Sequence, residues 1–305
     1  MKRSKEAGKE SKDAKGSSKE KAKKSSAPAN GRQPESPYGM LRYAARFLFV
    51  LAAIYISSRS ARTESTHLAA SDTYRLRRMN VSCSKDYEKF PGCSPQACGR
   101  VVMDKFVRDE EIEGLIEIAE RGMSHGGSDG GATILDLHSG AVSRGKEFIN
   151  VYKATKGAIF TKEDFALYKT IKNRVKKAVE LEFKVPAKKL YLTHPTFFSR
   201  MTDRPAATSH DEYWHPHIDR TTYPSFYYTS LLYLATKQQD FDGGDFVFLD
   251  KSANHTVEPR AGRLSFFTSG SENVHRVTPV TQGTRYAITI SFTCDKNFAI
   301  KDPSG

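Results

Sequence analysis

Cysteine is scarce in this chain: there are four in 305 residues. No CxxC pair occurs among them, which argues against a structural zinc site. Acidic residues are outnumbered, 35 against 48 basic ones, giving a formal net charge of +13. That excess invites a nucleic-acid reading, but no basic stretch is interleaved with aromatics to support it. It is also uneven, because the first 42 residues hold twelve Lys and Arg against five Asp and Glu. A solvated basic tail near a membrane surface accounts for this, and nucleic acid is not an expected partner. Long apolar runs are absent save one, Tyr43 to Ser57.

The composition divides the chain. Residues 1–42 are rich in Lys, Ser, Ala, Gly and Glu and poor in aromatics, so they cannot bury enough surface to offset their ordering entropy; a disordered, cytosolic basic tail is expected. Lys19–Lys24 could act as a nuclear signal, but a solvated tail explains it more simply. The apolar run predicts a transmembrane signal anchor over 43–58, slightly short for a hydrocarbon core of about 30 Å, with Arg46 near one end where it can snorkel. A buried helix and a cleaved signal peptide are the alternatives; the long polar lead argues against the second. The basic excess before the run predicts a single-pass type II protein with its C-terminal domain in the lumen of the endoplasmic reticulum or Golgi, or outside the cell.

Residues 59–100 read as a polar luminal stem carrying Cys83, Cys93 and Cys98; Cys294 is the fourth cysteine. All four follow the apolar run, as suits an oxidising compartment. Cys93 with Cys98 could close a small loop, and the three possible pairings stay open. Asn80-Val81-Ser82 and Asn254-His255-Thr256 are glycosylation sequons. Residues 101–189 read as a helical support region. Asp109 precedes a stripe of Ile112, Leu115, Ile116 and Ala119, and a second helix is predicted over 162–183 behind a Thr161/Asp164 capping box. From 190 to 297 the period changes to strands, at 190–201, 213–219, 226–235, 245–249, 263–267, 273–280 and 285–293, with 298–305 left as a C-terminal tail. The fold class is α+β, helices packed on a β-sandwich or barrel.

The chemistry gathers in Tyr213–Asp219. On a strand, His217 and Asp219 would project together, with Ile218 turned into the core. One imidazole and one carboxylate are two thirds of a 2-His-1-carboxylate iron site, and His275 is the distal candidate. His215 shares the face and reads either as a support behind the ligands or as a rim residue. Arg285 follows ten positions after His275, opening an apolar strand, and a guanidinium there makes a fork for an organic carboxylate. His217-Ile218-Asp219, Asp242-Gly243-Gly244-Asp245, His275 and Arg285, in that order, resemble the 2-oxoglutarate- and Fe(II)-dependent oxygenases, closest to the prolyl 4-hydroxylase-like branch.

That resemblance implies a double-stranded β-helix, or jelly roll, with the metal at its open end. It implies a dioxygenase in which His217, Asp219 and His275 hold Fe(II), Arg285 grips the remote carboxylate of 2-oxoglutarate and Tyr233 assists. Arg285, where collagen-type hydroxylases commonly carry Lys, resembles the oxygen-sensing branch. O2 is the other cosubstrate, ascorbate the expected reductant, succinate and CO2 the co-products, and a protein or peptide the expected substrate. The rival expectation is a membrane-tethered metal-binding module with little turnover.

Overall fold

The structure, a computed structural model, describes residues 39–60, 66–157 and 159–303. The chain divides into two compact units, Met1–Ser58 and Arg59–Gly305. The described part of the first is helical, most of α1 (Gly39–Ser60). Leu41, Phe47, Leu48, Phe49, Val50, Leu51 and Ile54 are exposed along it. Among the described residues no helix is long and apolar enough to cross a membrane, so the span expected over 43–58 is a helix here and not a demonstrated span. Most of the tail expected over 1–42, including Lys19–Lys24, lies outside the described residues.

The second unit opens with β1 (His67–Leu68), β2 (Arg77–Val81) and β3 (Cys98–Met103). Helix α2 (Asp109–Met123) follows, then β4 (Ala132–Asp136), β5 (Ala141–Arg144), β6 (Glu147–Asn150) and the one-turn α3 (Val151–Ala154). Next come α4 (Lys162–Phe183), β7 (Tyr191–Leu192), β8 (Phe197–Thr202) and the one-turn α5 (Asp219–Thr222). The remaining strands are β9 (Tyr228–Tyr233), β10 (Phe241–Gly243), β11 (Phe246–Leu249), β12 (Asn254–Val257), β13 (Leu264–Thr268), β14 (His275–Val277) and β15 (Val280–Thr293).

The small sheet runs β1-β12-β11-β14, and the large one β2-β3-β13-β9-β15-β8-β4-β5-β6, with β7 and β10 also on β15. Side chains alternate across the large sheet. Tyr228 and Leu232 of β9, Leu264 and Phe266 of β13, and Ile288, Ile290 and Phe292 of β15 face a core shared with Leu115 and Ile118 of α2 and Ile171 and Val175 of α4. Leu231, Tyr233, Phe267 and Ala287 face the other way, onto Phe246 and Phe248 of the small sheet. The result is a sheet-rich, jelly-roll-like fold with helices on one outer face.

Several expectations change. Residues 59–100, read as a stem, contribute β1 and β2 and open β3, so they are woven into both sheets. The helical support region also carries β4 to β6. The strand expected over 213–219 is absent: Pro216 has no N–H to give to a ladder, pairing shrinks to a single bridge at His217, and Asp219 begins α5. Ile218 is extended but only half-buried, outside the core. The run expected over 190–201 splits into β7 and β8 around Pro195. Cys83 pairs with Cys98 and Cys93 with Cys294, so the small Cys93–Cys98 loop does not form. Pairing of β2 with β3 sets Val81 opposite Cys98, which brings Cys83 to it.

Helix α4 starts at the capping box as expected: Thr161 Oγ1 accepts from Asp164 N at 3.1 Å, and Asp164 Oδ2 accepts from Thr161 N at 2.7 Å. Helices α2 and α4 are clamped by Arg174, which donates to both Glu111 oxygens at 2.8 and 2.9 Å. Those bonds, against the effect of burial and with help from the Arg108 backbone N–H, hold the Glu111 carboxyl down to about 2. A folded-state value below the unfolded one means stability present above about pH 4.5 and lost as pH falls through about 2. The advantage of wild type over Glu111→Gln in thermal midpoint should therefore hold from pH 6 to about pH 4.5 and shrink from there to pH 2.5, measured by circular dichroism; a difference that stays constant to pH 2.5 would contradict the clamp.

Candidate active site

His217 and His275 lie 58 residues apart in sequence and are joined by backbone: His217 N donates to His275 O at 2.9 Å, and His275 N donates to His217 O at 3.0 Å. Their ring centroids are 4.4 Å apart. Each ring gives its Nδ1–H to the carbonyl two residues back, His217 to His215 O at 3.0 Å and His275 to Asn273 O at 2.8 Å. A donor role at Nδ1 leaves the Nε2 lone pair free on both rings. The two Nε2 atoms lie 3.7 and 3.5 Å from Asp219 Oδ1. The ligand atoms of all three residues lie within 4.8 Å of one another.

Asp219 reaches this point from the first position of α5, where the N-terminal N–H groups favour a carboxylate. Its other oxygen, Oδ2, accepts from Thr229 Oγ1 at 2.6 Å, and Thr229 Oγ1 lies 2.8 Å from Ser269 Oγ. Burial pushes the Asp219 carboxyl up, but His275, Thr229 and His217 outweigh it and hold the carboxyl below the usual range. Burial and the neighbouring His275 push the His217 imidazole down, toward the neutral form a metal requires. His275 is walled by Phe246, stacked at 4.8 Å, and Phe267 at 5.1 Å. The His217 side chain is 41% exposed against 4% for His275, so the site opens on the His217 side.

Deeper between the sheets, Arg285 is 1% exposed. Its Nε donates to Gly244 O at 3.0 Å and its Nη1 meets Met201 Sδ at 3.5 Å, while Nη2 is buried without a partner. The guanidinium sits 5.3 Å from the Tyr233 ring centroid, and Tyr233 Oη is likewise buried and unpartnered. Burial pushes the Tyr233 phenol up to about 12, against the pull of Arg285, so it stays a donor. Two buried polar groups lacking partners are rare unless something else satisfies them. Thr229 and Tyr233 share the inner face of β9, about 13 Å apart at 3.3 Å per residue. The side chains of Thr289 and Ser291 share the inner face of β15 with Arg285, and Ser291 Oγ is unpartnered too.

Two imidazole nitrogens and one carboxylate oxygen fit a divalent metal such as Fe(II). The orphaned Nη2 and Oη fit an organic carboxylate, so the residues present suit both groups. His215 is set apart: its Nε2 meets Glu212 Oε2 at 2.9 Å at the surface, and it serves the site through its backbone carbonyl. Asn80 and Asn254 are exposed, on β2 and β12. Thr229, Ser269 and Asn273 carried no signal in sequence, because their roles arise from contacts between distant segments. Gly244, read in sequence as part of the Asp242–Asp245 motif with no role toward Arg285, is needed as glycine: its φ is +63°, and an added Cβ would lie 2.8 Å from Arg285 Cδ.

A family model described as the 2OG-Fe(II) oxygenase superfamily matches residues 201–293, which contain all of these groups from Met201 to Ser291. The Xenopus tropicalis protein called 2-oxoglutarate and iron-dependent oxygenase domain-containing protein 3 is 54% identical over 242 residues, 77% of this chain and 76% of that protein. Human prolyl 3-hydroxylase 1 is 29% identical over 225 residues, covering 67% of this chain and 29% of its own length. Among solved structures, a Trichoplax adhaerens prolyl hydroxylase in complex with a hypoxia inducible factor peptide fragment is 16% identical with a TM-score of 0.42, over 65% of this chain and 84% of that one.

Proposed function

The chain belongs to the 2OG-Fe(II) oxygenase superfamily, and from that premise we propose that His217, Asp219 and His275 hold its iron while Arg285 and Tyr233 take the remote carboxylate of 2-oxoglutarate. It is an oxidoreductase that uses Fe(II), 2-oxoglutarate and O2. The bound group supplies oxidative decarboxylation to succinate and CO2, coupled to oxidation of a substrate C–H bond. The chain's residues supply orientation and exclusion. His217 and His275 present neutral Nε2 atoms, and Asp219 offsets the metal's charge through Oδ1 while Thr229 occupies Oδ2. Phe246 and Phe267 keep water from the His275 side. Arg285 gives a bidentate-capable cation held by Gly244, and Tyr233 gives a second hydrogen bond.

The substrate we propose is a protein or peptide approaching over the exposed His217 edge; the similarity to prolyl 3-hydroxylase 1 supports this reading. Ascorbate serves as reductant. A luminal or extracellular setting is supported by two disulfides and two exposed sequons. Helix α1, not long and apolar enough to be a span on that ground alone, is the proposed membrane anchor through its apolar centre, with Arg46 placed near one end to snorkel and the N-terminus cytosolic. Its consecutive apolar side chains Phe47 to Leu51 point to every side of the helix, a pattern that calls for apolar surroundings. Glycosidase should raise the gel mobility of cell-expressed protein, and Asn80→Gln with Asn254→Gln should remove the shift. Digestion of the C-terminal unit by protease added to sealed, cytosol-side-out microsomes would sink the topology.

The orphaned Nη2 of the buried Arg285 carries the cosubstrate assignment. Hydrogen bonds to charged groups are worth about 1.5–3 kcal/mol. At 1.4 kcal/mol per decade, Arg285→Ala should weaken 2-oxoglutarate binding by about tenfold to a hundredfold in calorimetry with Mn(II) present. Arg285→Lys should fall between, keeping charge without the fork, and metal affinity should hold in both. Equal 2-oxoglutarate affinity in all three proteins would contradict the assignment.

A further inference from the structure

One turn, Thr268–Asn273, supports both buried members of the triad, His275 directly and Asp219 through Thr229. Asn273 O accepts from His275 Nδ1 at 2.8 Å, while Ser269 Oγ meets the Thr229 hydroxyl that bonds Asp219. Ser269 O also accepts from Arg220 N at 3.0 Å, at the start of α5 beside Asp219. What fixes this turn from outside comes from the stretch 83–100. Tyr87 Oη accepts from Gly270 N at 2.5 Å and donates to Glu272 Oε1 at 2.8 Å. Asp86 Oδ2 accepts from Ser271 N at 3.0 Å, and Ser84 N donates to Glu272 Oε2 at 3.3 Å. These three residues lie inside the loop closed by Cys83–Cys98.

Two residues beyond Cys98, Arg100 is 3% exposed on the inner face of β3. Its Nε donates to Asn273 Oδ1 at 2.6 Å, and Nη2 to Glu272 O at 3.3 Å. The rest of its fork grips Asp250 at 2.9 and 2.5 Å, and the guanidinium lies 4.2 Å from the Phe248 ring centroid. Asn273 closes the circuit by donating from Nδ2 to Thr268 O at 2.7 Å. The carbonyl that orients His275 therefore belongs to a residue whose side chain is held by Arg100. A slack turn would let that carbonyl rotate and the His275 Nε2 swing away from Asp219.

We propose that the Cys83–Cys98 loop and Arg100 form a brace for the metal site, with Tyr87 and Arg100 as positioning residues for His275. The proposal rests on the reading of His217, Asp219 and His275 as metal ligands. It makes metal affinity depend on an intact Cys83–Cys98 bond, and it gives the stretch read from sequence as a stem a part in the chemistry.

Co(II) alone is the probe, because its visible d–d bands report ligand geometry without turnover. Removal of outer partners of metal ligands typically weakens metal binding by about tenfold to a hundredfold. Arg100→Ala and Cys83→Ala with Cys98→Ala should fall in that range, with altered d–d bands; Arg100→Lys should recover part of the loss. Tyr87→Phe keeps its ring against Tyr227 and loses only the hydroxyl, so it guards against a brace variant that fails to fold. Tyr168→Phe loses a comparable bond, between its hydroxyl and His138 Nε2 at 2.9 Å, on α4 and away from the turn and the Cys83–Cys98 loop. It should lower the thermal midpoint and leave Co(II) affinity unchanged, whereas Tyr87→Phe should weaken Co(II) binding. Wild-type Co(II) affinity and spectrum in Tyr87→Phe and the double cysteine variant would overturn the brace. Failure of wild type to bind Co(II), or full retention by His275→Ala, would overturn the triad reading and the brace with it.

Discussion

A pair of backbone hydrogen bonds, His217 N to His275 O and back, is the constraint on which the site depends. It joins two segments that share no longer ladder: His217 stands in an isolated bridge, and β14 has only three residues. Each histidine then spends its Nδ1–H on a local carbonyl, so both free nitrogens face the same carboxylate. Short elements suffice because each ligand is fixed by several hydrogen bonds rather than by the length of its strand. The orientation is set before any metal arrives, which lowers the reorganisation needed on binding.

The large sheet extends this order to the proposed cosubstrate end. Its outer face is committed to packing α2 and α4, so its inner face is free to carry polar groups. Thr229 supports Asp219 at one end of that face; Arg285 and Tyr233 occupy the other. Burying an arginine with one unpaired nitrogen and a tyrosine with an unpaired hydroxyl disfavours the empty fold. Gly243 and Gly244, with φ of +74° and +63°, allow the tight turn that delivers a carbonyl to Arg285 Nε. The proposed binding of a carboxylate at this depth would give the unpaired groups their partner.

Much of this was legible in sequence wherever a residue's role follows from its own chemistry. The residues His217, Asp219, His275 and Arg285 stand out by type and order, and the short apolar runs of β9, β13 and β15, bounded by turn residues, were readable as strands buried on both faces. The capping box of α4 is a local pattern and was found in place. The strand over 213–219 was misread, since alternation of His217 and Asp219 also arises from an extended residue leading into a helix. Strand β12 was missed because Asn254-His255-Thr256 is polar and at most half-buried, although it lies between β1 and β11. Strands β1 and β2 were hidden for a similar reason: they are short or polar, and take their order from partners far along the chain. The disulfide pairing depends on the same distant contacts.

The central claim is that three residues converge on one divalent metal while His215 stays at the rim. The most direct measurement is Mn(II) binding to the full chain by calorimetry, compared with His217→Ala, Asp219→Ala, His275→Ala and His215→Ala. One Mn(II) per chain in wild type, lost or greatly weakened in the first three variants and kept in His215→Ala, is the result expected. Retention of Mn(II) by Asp219→Ala together with its loss in His215→Ala would contradict the account.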